Sequence, residues 1–179
     1  MVGYSNELFH REASIGQTYA ERVALELQKR QIPCYATELE FAKNEADRKR
    51  FENEQDVVLI DQPGCIEVKS RRLNFRNDPI TYPYSTAFVD TVIGWDKKDP
   101  KPLAVVLISQ NTNGMLVVPV STQPNWTQNA SFDRVRQINE NWYQVSKKEL
   151  RTFNELVFWL KDRLDEFRSA NWASPSGAL

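Results

Sequence analysis

The chain has 179 residues, 41% of them hydrophobic and 26% charged, with a formal net charge of −1, which is the balance of a soluble globular protein able to bury a full core. So small a net charge excludes a global basic field, and any nucleic-acid contact has to come from local patches. Two separated cysteines, Cys34 and Cys65, and a single histidine, His10, exclude a disulfide framework, a four-cysteine iron–sulfur cluster, an HExxH zinc hydrolase and an HNH-type nuclease.

The opening segment MVGYSNELFHREAS is polar and acidic and does not read as a signal peptide. No run of about 18 apolar residues offers a membrane span, so a cytoplasmic protein without membrane attachment is expected. The spacing of Ile15, Tyr19, Val23 and Leu27, widened by Ala20 and Ala24, predicts a helix from Ser14 to Arg30. Ser14 is its expected N-cap, His10 lies next to its start as a surface or capping residue, and Pro33 stops it. A short strand is expected in Cys34–Phe41, and the charged stretch Ala42–Gln55 reads as a solvated loop or surface helix. Asp56–Asp61 and Cys65–Ser70 are β-branched runs separated by Gln62-Pro63-Gly64, the pattern of a β-hairpin.

Ser85 to Trp95 is expected as a helix burying Phe88, Val89, Val92 and Ile93. Leu103–Ser109 is almost continuously apolar, as suits a strand covered on both faces. Met115–Val120 follows an Asn113-Gly114 turn, and a further short strand is expected at Trp142–Val145. Ser146 and Glu149 form a capping-box pattern ahead of Leu150, Phe153, Leu156, Val157, Leu160 and Leu164, which predicts a last helix packed on the core. Residues 169–179 read as a flexible C-terminal tail after a single domain spanning 1–168. The order of elements argues for one mixed sheet flanked by helices.

The chemistry concentrates on the hairpin. Asp56 opens one strand. Glu67 and Lys69 share a face of the next, while Ile66 and Val68 take the other. Two carboxylates on adjacent strands offer the oxygen ligands a hard divalent cation requires, and the Val68 backbone carbonyl offers another. An ammonium at Lys69 is placed to stabilise charge on a phosphate or to orient a water. The ordinary reading of Glu-x-Lys is a salt-bridged strand. Its position inside an apolar strand, opposite an acidic residue, raises the signal. Asp61 is the other candidate aspartate, but it sits at the turn, close to Glu67 in sequence.

This arrangement, a helix, then Asp56, then Glu67-Val68-Lys69, then a helix and a strand, resembles the PD-(D/E)XK nuclease superfamily. The Cys65–Arg71 segment is close to how the motif is written in restriction-endonuclease-like and Holliday-junction-resolvase-like members. Gly16, Ala20, Glu21 and Arg22, with Leu27 after them, are similar to the first helix of archaeal Holliday junction resolvases. The proline of the family name is absent, since Gln55 precedes Asp56.

The resemblance implies a restriction-endonuclease-like αβββαβ core with extra C-terminal strands and a helix. It also implies a Mg2+-dependent nuclease, with Mn2+ as an alternative metal, acting on DNA without an organic cofactor. Asp56, Glu67 and Lys69 are then catalytic, with Asp56, Glu67, the Val68 carbonyl and Glu21 as metal ligands. Helix geometry leaves Glu26 open beside Glu21. Ser70, Arg71, Arg72 and Arg76, with Phe75, Tyr82 and Tyr84 nearby, are candidate DNA contacts, whereas Lys97, Lys98 and Lys101 read as a solvated basic loop. The competing expectations are a catalytically silent nucleic-acid-binding or interaction domain, a subunit of a larger recombination or transposition complex, and a homodimer that pairs two active sites.

Overall fold

The computed structural model describes residues 6–40, 55–133 and 138–172. The expected charged loop therefore lies outside the described residues except for Gln55. Helix α1 spans Asn6–Gln28 and starts eight residues before Ser14, the expected cap. The Ser14 hydroxyl instead donates to the His10 carbonyl one turn back, at 2.8 Å. Ala20, Val23, Ala24 and Leu27 are its buried face. The helix ends where Gln31 turns left-handed (φ 65), with Gln31 N–H donating to Gln28 O and Ile32 N–H to Leu27 O, the paired bonds of a Schellman motif.

Strand β1 (Cys34–Ala36) pairs antiparallel with β2 (Val57–Leu59), and β2 with β3 (Cys65–Arg71). The β2–β3 turn holds Asp61 at φ 63 and Gly64 at φ 132. Beyond β3 the structure departs from the expected crossover helix. Residues Thr86–Thr91 form strand β4, and only Val92–Lys97 form a short helix, α2. The physical reason lies in the residues. Thr86, Val89 and Thr91 are β-branched, and alternation buries Ala87 and Val89. A helical face would bury Ile93, which is 66% exposed.

Strand β5 (Ala104–Ser109) runs parallel to β3 and is buried at every position, as its apolar run predicts. Strand β6 (Met115–Pro119) returns antiparallel beside it. Strands β7 (Thr127–Asp133) and β8 (Ile138–Ser146) follow, the second lengthening the expected Trp142–Val145 strand. Strand β9 (Arg151–Thr152) edges β6, and helix α3 spans Phe153–Trp172.

The expected box at Ser146 and Glu149 caps only a single 3-10 turn. The capping box of α3 is Thr152/Glu155. The Glu155 carboxylate accepts from Thr152 N–H at 2.7 Å, and the Thr152 hydroxyl accepts from Glu155 N–H at 3.2 Å. Because α3 continues to Trp172, residues 169–172 are helical instead of part of a tail, and residues 173–179 lie outside the described residues.

The described residues form an α/β protein with a six-stranded mixed sheet, in the order β1-β2-β3-β5-β6-β9, and a three-stranded antiparallel sheet, β4-β8-β7. One core joins α1 and α3 to one face of the large sheet through Ile66, Val68, Val106, Val117, Leu156 and Leu160. The other core fills the opposite face through Val105, Leu107, Leu116, Val118, Ala87, Val89, Trp95 and Trp126. Since side chains alternate along β3, Ile66 and Val68 belong to the helical side, and Glu67 and Lys69 point to the side covered by β4 and α2.

Candidate active site

Strand β3 lies between antiparallel β2 and parallel β5 and is a rigid platform. Its N–H and C=O groups alternate between the two neighbours. Val68 directs its pair towards β2, but past the last paired residue of that strand. Asp56 fills this place: its Oδ2 accepts from Val68 N–H at 2.6 Å. The aspartate at the mouth of the hairpin thus substitutes for a missing rung of the ladder, and that rung fixes it beside Glu67. The Val68 carbonyl points to the same side.

Glu67 is 5% exposed. Its Oε1 meets Lys69 Nζ at 2.8 Å and its Oε2 meets Lys98 Nζ at 2.9 Å. Lys69 also reaches Asp90 on β4, at 3.1 Å. Burial alone would raise the Glu67 carboxyl, but the two ammoniums outweigh it and hold it below the usual carboxylate range. Burial likewise works against the Lys69 ammonium, and Glu67, Asp90 and Asp56 together hold it above its ordinary value. Asp56 behaves in the opposite way. Burial, reinforced by the negative charge of Glu67, pushes its carboxyl up to about 7, although Lys69, the Val68 N–H and Lys98 pull the other way. Burial pushes the thiol of Cys65, at the start of the same strand, up to about 11.

The fit to a divalent cation is that of a two-carboxylate site. Asp56, Glu67 and the Val68 carbonyl supply hard oxygen donors. Among the described residues, three carboxylates (Asp56, Glu67, Asp90) stand against two ammoniums (Lys69, Lys98), and the Glu67 charge adds to burial in raising Asp56. Among the described residues, no three histidine, cysteine, aspartate or glutamate side chains gather as a larger cage.

Helix α1 does not complete the site. Glu21 is exposed and accepts from Gln17 at 3.1 Å. Gln17 in turn donates to the Thr37 carbonyl at 2.9 Å, and Thr37 N–H donates to the Asp56 carbonyl at 3.2 Å. Glu21 is therefore linked only to the Asp56 backbone, through the Gln17 side chain and the Thr37 backbone. Glu26 is turned elsewhere, paired with Lys29 at 2.9 Å and Arg30 at 2.6 Å. Asp61 is also outside, at the turn, 3.3 Å from Arg168.

The basic residues after the motif have separate fates. The Arg71 guanidinium donates to the carbonyls of Phe88 and Val89, each at 3.1 Å. It ties β3 to β4, which corrects its expected role as a phosphate contact. Ser70 accepts from Gln110 at 2.9 Å. Arg72 remains on the surface, paired with Glu12 at 2.8 Å, and Arg76 is exposed. Phe75 and Tyr82 are core residues, whereas Tyr84 is exposed.

Two members of the charge cluster lie outside the motif. Asp90 interrupts an apolar strand just as Glu67 does, but that signal is hidden when the segment is read as a helix. Lys98, read as solvated, is drawn inward onto Glu67; nothing in its neighbours foretells this. Comparison of the chain with family models, with curated proteins and with solved structures finds no match.

Proposed function

We propose that the protein is a Mg2+-dependent nuclease that hydrolyses phosphodiester bonds in DNA, with Mn2+ able to replace Mg2+. The observation that carries this reading is the convergence of Asp56 with Glu67 and Lys69 through the bond from Val68 N–H to the Asp56 carboxylate. The order α1, β1, β2, β3, α2, β5, with β3 and β5 parallel, supports a restriction-endonuclease-like core, altered by β4 in place of most of the expected helix.

In this reading Asp56, Glu67 and the Val68 carbonyl hold the metal. When bound, it supplies a Lewis acid for the phosphoryl oxygen and for the attacking water. Lys69 stabilises the charge that develops on the phosphate and orients the water, and Asp90 fixes the ammonium in place from the second sheet. Attack at phosphorus expels the 3′ oxygen. Arg72 and Arg76 contact flanking phosphates, and two copies of the chain would bring two sites to a duplex.

The test is cleavage of linear, circular, single-stranded and branched DNA in Mg2+, Mn2+ or EDTA. Wild-type protein cuts in metal and not in EDTA, and Glu67→Ala and Lys69→Ala do not cut. Cutting by either variant at the wild-type rate would remove the assignment. One observation favours a second reading, a catalytically silent domain that binds nucleic acid or a partner: both Glu67 oxygens already hold ammoniums, as in a structural ion cluster. DNA binding without cleavage under either metal decides for it.

A further inference from the structure

Lys98 belongs to none of the motifs above, yet its Nζ lies 2.9 Å from Glu67 Oε2 and its side chain is only 16% exposed. The backbone that carries it is braced. The Thr91 hydroxyl caps α2 by accepting from Gly94 N–H at 3.0 Å, and Lys98 N–H closes the helix on the Trp95 carbonyl. The Tyr143 hydroxyl holds Asp96 at 3.0 Å. Lys101 donates to the Trp95 carbonyl and lies over the Trp95 ring. What can move is therefore the flexible four-carbon stem of Lys98. Beside it, Gln55, Cys65, Glu67, Asp99 and Pro100 line a small cavity at this end of β3.

Glu67 thus has one oxygen held by the motif lysine and the other by a cation that the chain itself supplies. A divalent ion bound by Asp56 and Glu67 needs a carboxylate oxygen that an ammonium now occupies. We propose that Lys98 has two partners in turn: it holds Glu67 as an internal counter-cation while the site is without metal, and as a catalytic residue turns to the substrate phosphate once a divalent cation takes Glu67. The ammonium, once displaced, stays within the site because its backbone is fixed, and a phosphate is the anion that replaces Glu67 as its partner. This rests on the nuclease reading.

The test measures Mn2+ binding to the full chain by calorimetry, together with single-turnover cleavage of a labelled DNA duplex at saturating Mn2+. Lys98→Met keeps the length of the stem and removes the charge. It should bind Mn2+ about tenfold tighter, or about 1.4 kcal/mol, and yet cleave at least about tenfold more slowly. Opposite signs in one variant are not expected of a merely structural lysine. Lys98→Arg, which keeps a cation on Glu67, should bind Mn2+ no tighter than wild type. Should Lys98→Met not fold, Lys98→Gln is held to the same two measurements. If wild type shows Mn2+ binding that Glu67→Gln removes, and the Lys98 variant binds equally or more weakly, the role of Lys98 is overturned and the nuclease reading stands. If wild type shows no such binding, both fall.

Discussion

Replacing Asp56 with asparagine tests the electrostatics of the site without any assay of activity. The carboxyl moves from an ordinary value of 3.8 to about 7 on folding. A group whose folded value is raised binds its proton more tightly in the native state, so the protein is destabilised as pH rises between those two values. The penalty is absent below the lower value and complete above the upper one. Each pH unit in that window is worth about 1.4 kcal/mol, so ionised Asp56 costs at most about 4 kcal/mol at pH 8, and roughly 2–3 kcal/mol of this accrues between pH 5 and pH 8. Asparagine still offers an oxygen to Val68 N–H and carries no charge. In EDTA, urea unfolding should therefore find Asp56→Asn gaining on wild type by up to that amount between pH 5 and pH 8. Added Mg2+ should stabilise wild type at pH 8 and leave the asparagine variant unchanged. Parallel pH profiles for the two proteins in EDTA would show that the Asp56 charge is already compensated and would refute the reasoning.

Further outcomes follow from the same structure. Thr152→Ala should cost about 1 kcal/mol in chemical denaturation by removing the α3 cap, and Ser146→Ala, which caps only one 3-10 turn, should cost less. Gly114→Ala forces a Cβ onto the backbone of Phe75 and Arg76 and should destabilise by several kcal/mol or prevent folding. Gly16→Ala, inside α1 with open space around it, should be neutral or stabilise by about 0.5–1 kcal/mol. Arg71→Ala should lower Tm because it strips two carbonyls of β4 of their donor. Arg72→Ala and Arg76→Ala should leave Tm unchanged and weaken DNA binding with a shallower salt dependence; unchanged binding by both would remove them from the interface.

The parts of the fold legible in the sequence are those where one periodicity dominates. The α1 stripe, the hairpin around Pro63-Gly64 and the doubly buried β5 each carry an unmixed pattern, and each is present. Misreadings cluster where two patterns coexist. In Thr86–Trp95, Phe88, Val89, Val92 and Ile93 fit a helical face, whereas Ala87 and Val89 fit a strand. The partner strand β8 decides the contest, and it lies more than fifty residues away in sequence. Ser146/Glu149 and Thr152/Glu155 are equivalent capping boxes on paper. The second prevails because β9 pairs with β6 up to Thr152, which delays the helix. The candidate site was legible to the same degree. Glu67 and Lys69 are readable as charges breaking an apolar strand and Asp56 as the acid that opens the partner strand, while Lys98 and Asp90 reach Glu67 and Lys69 through tertiary placement alone.

That tertiary placement explains why two carboxylates so close together respond in opposite directions. Glu67 is on the inward face of β3, where Lys69 of its own strand and Lys98 just after α2 bring ammoniums to its two oxygens. Asp56 is one strand nearer the edge. Its contact is a backbone N–H, which offers a hydrogen bond but no full charge. Had Thr86–Trp95 formed the expected helix, Asp90 would not occupy the strand position from which it engages Lys69, and that lysine would answer to Glu67 and Asp56 alone. The second sheet draws part of the Lys69 charge away and leaves Asp56 the least compensated acid of the cluster. A divalent cation bound there would compensate Asp56 more than Glu67, whose oxygens already face the ammoniums of Lys69 and Lys98.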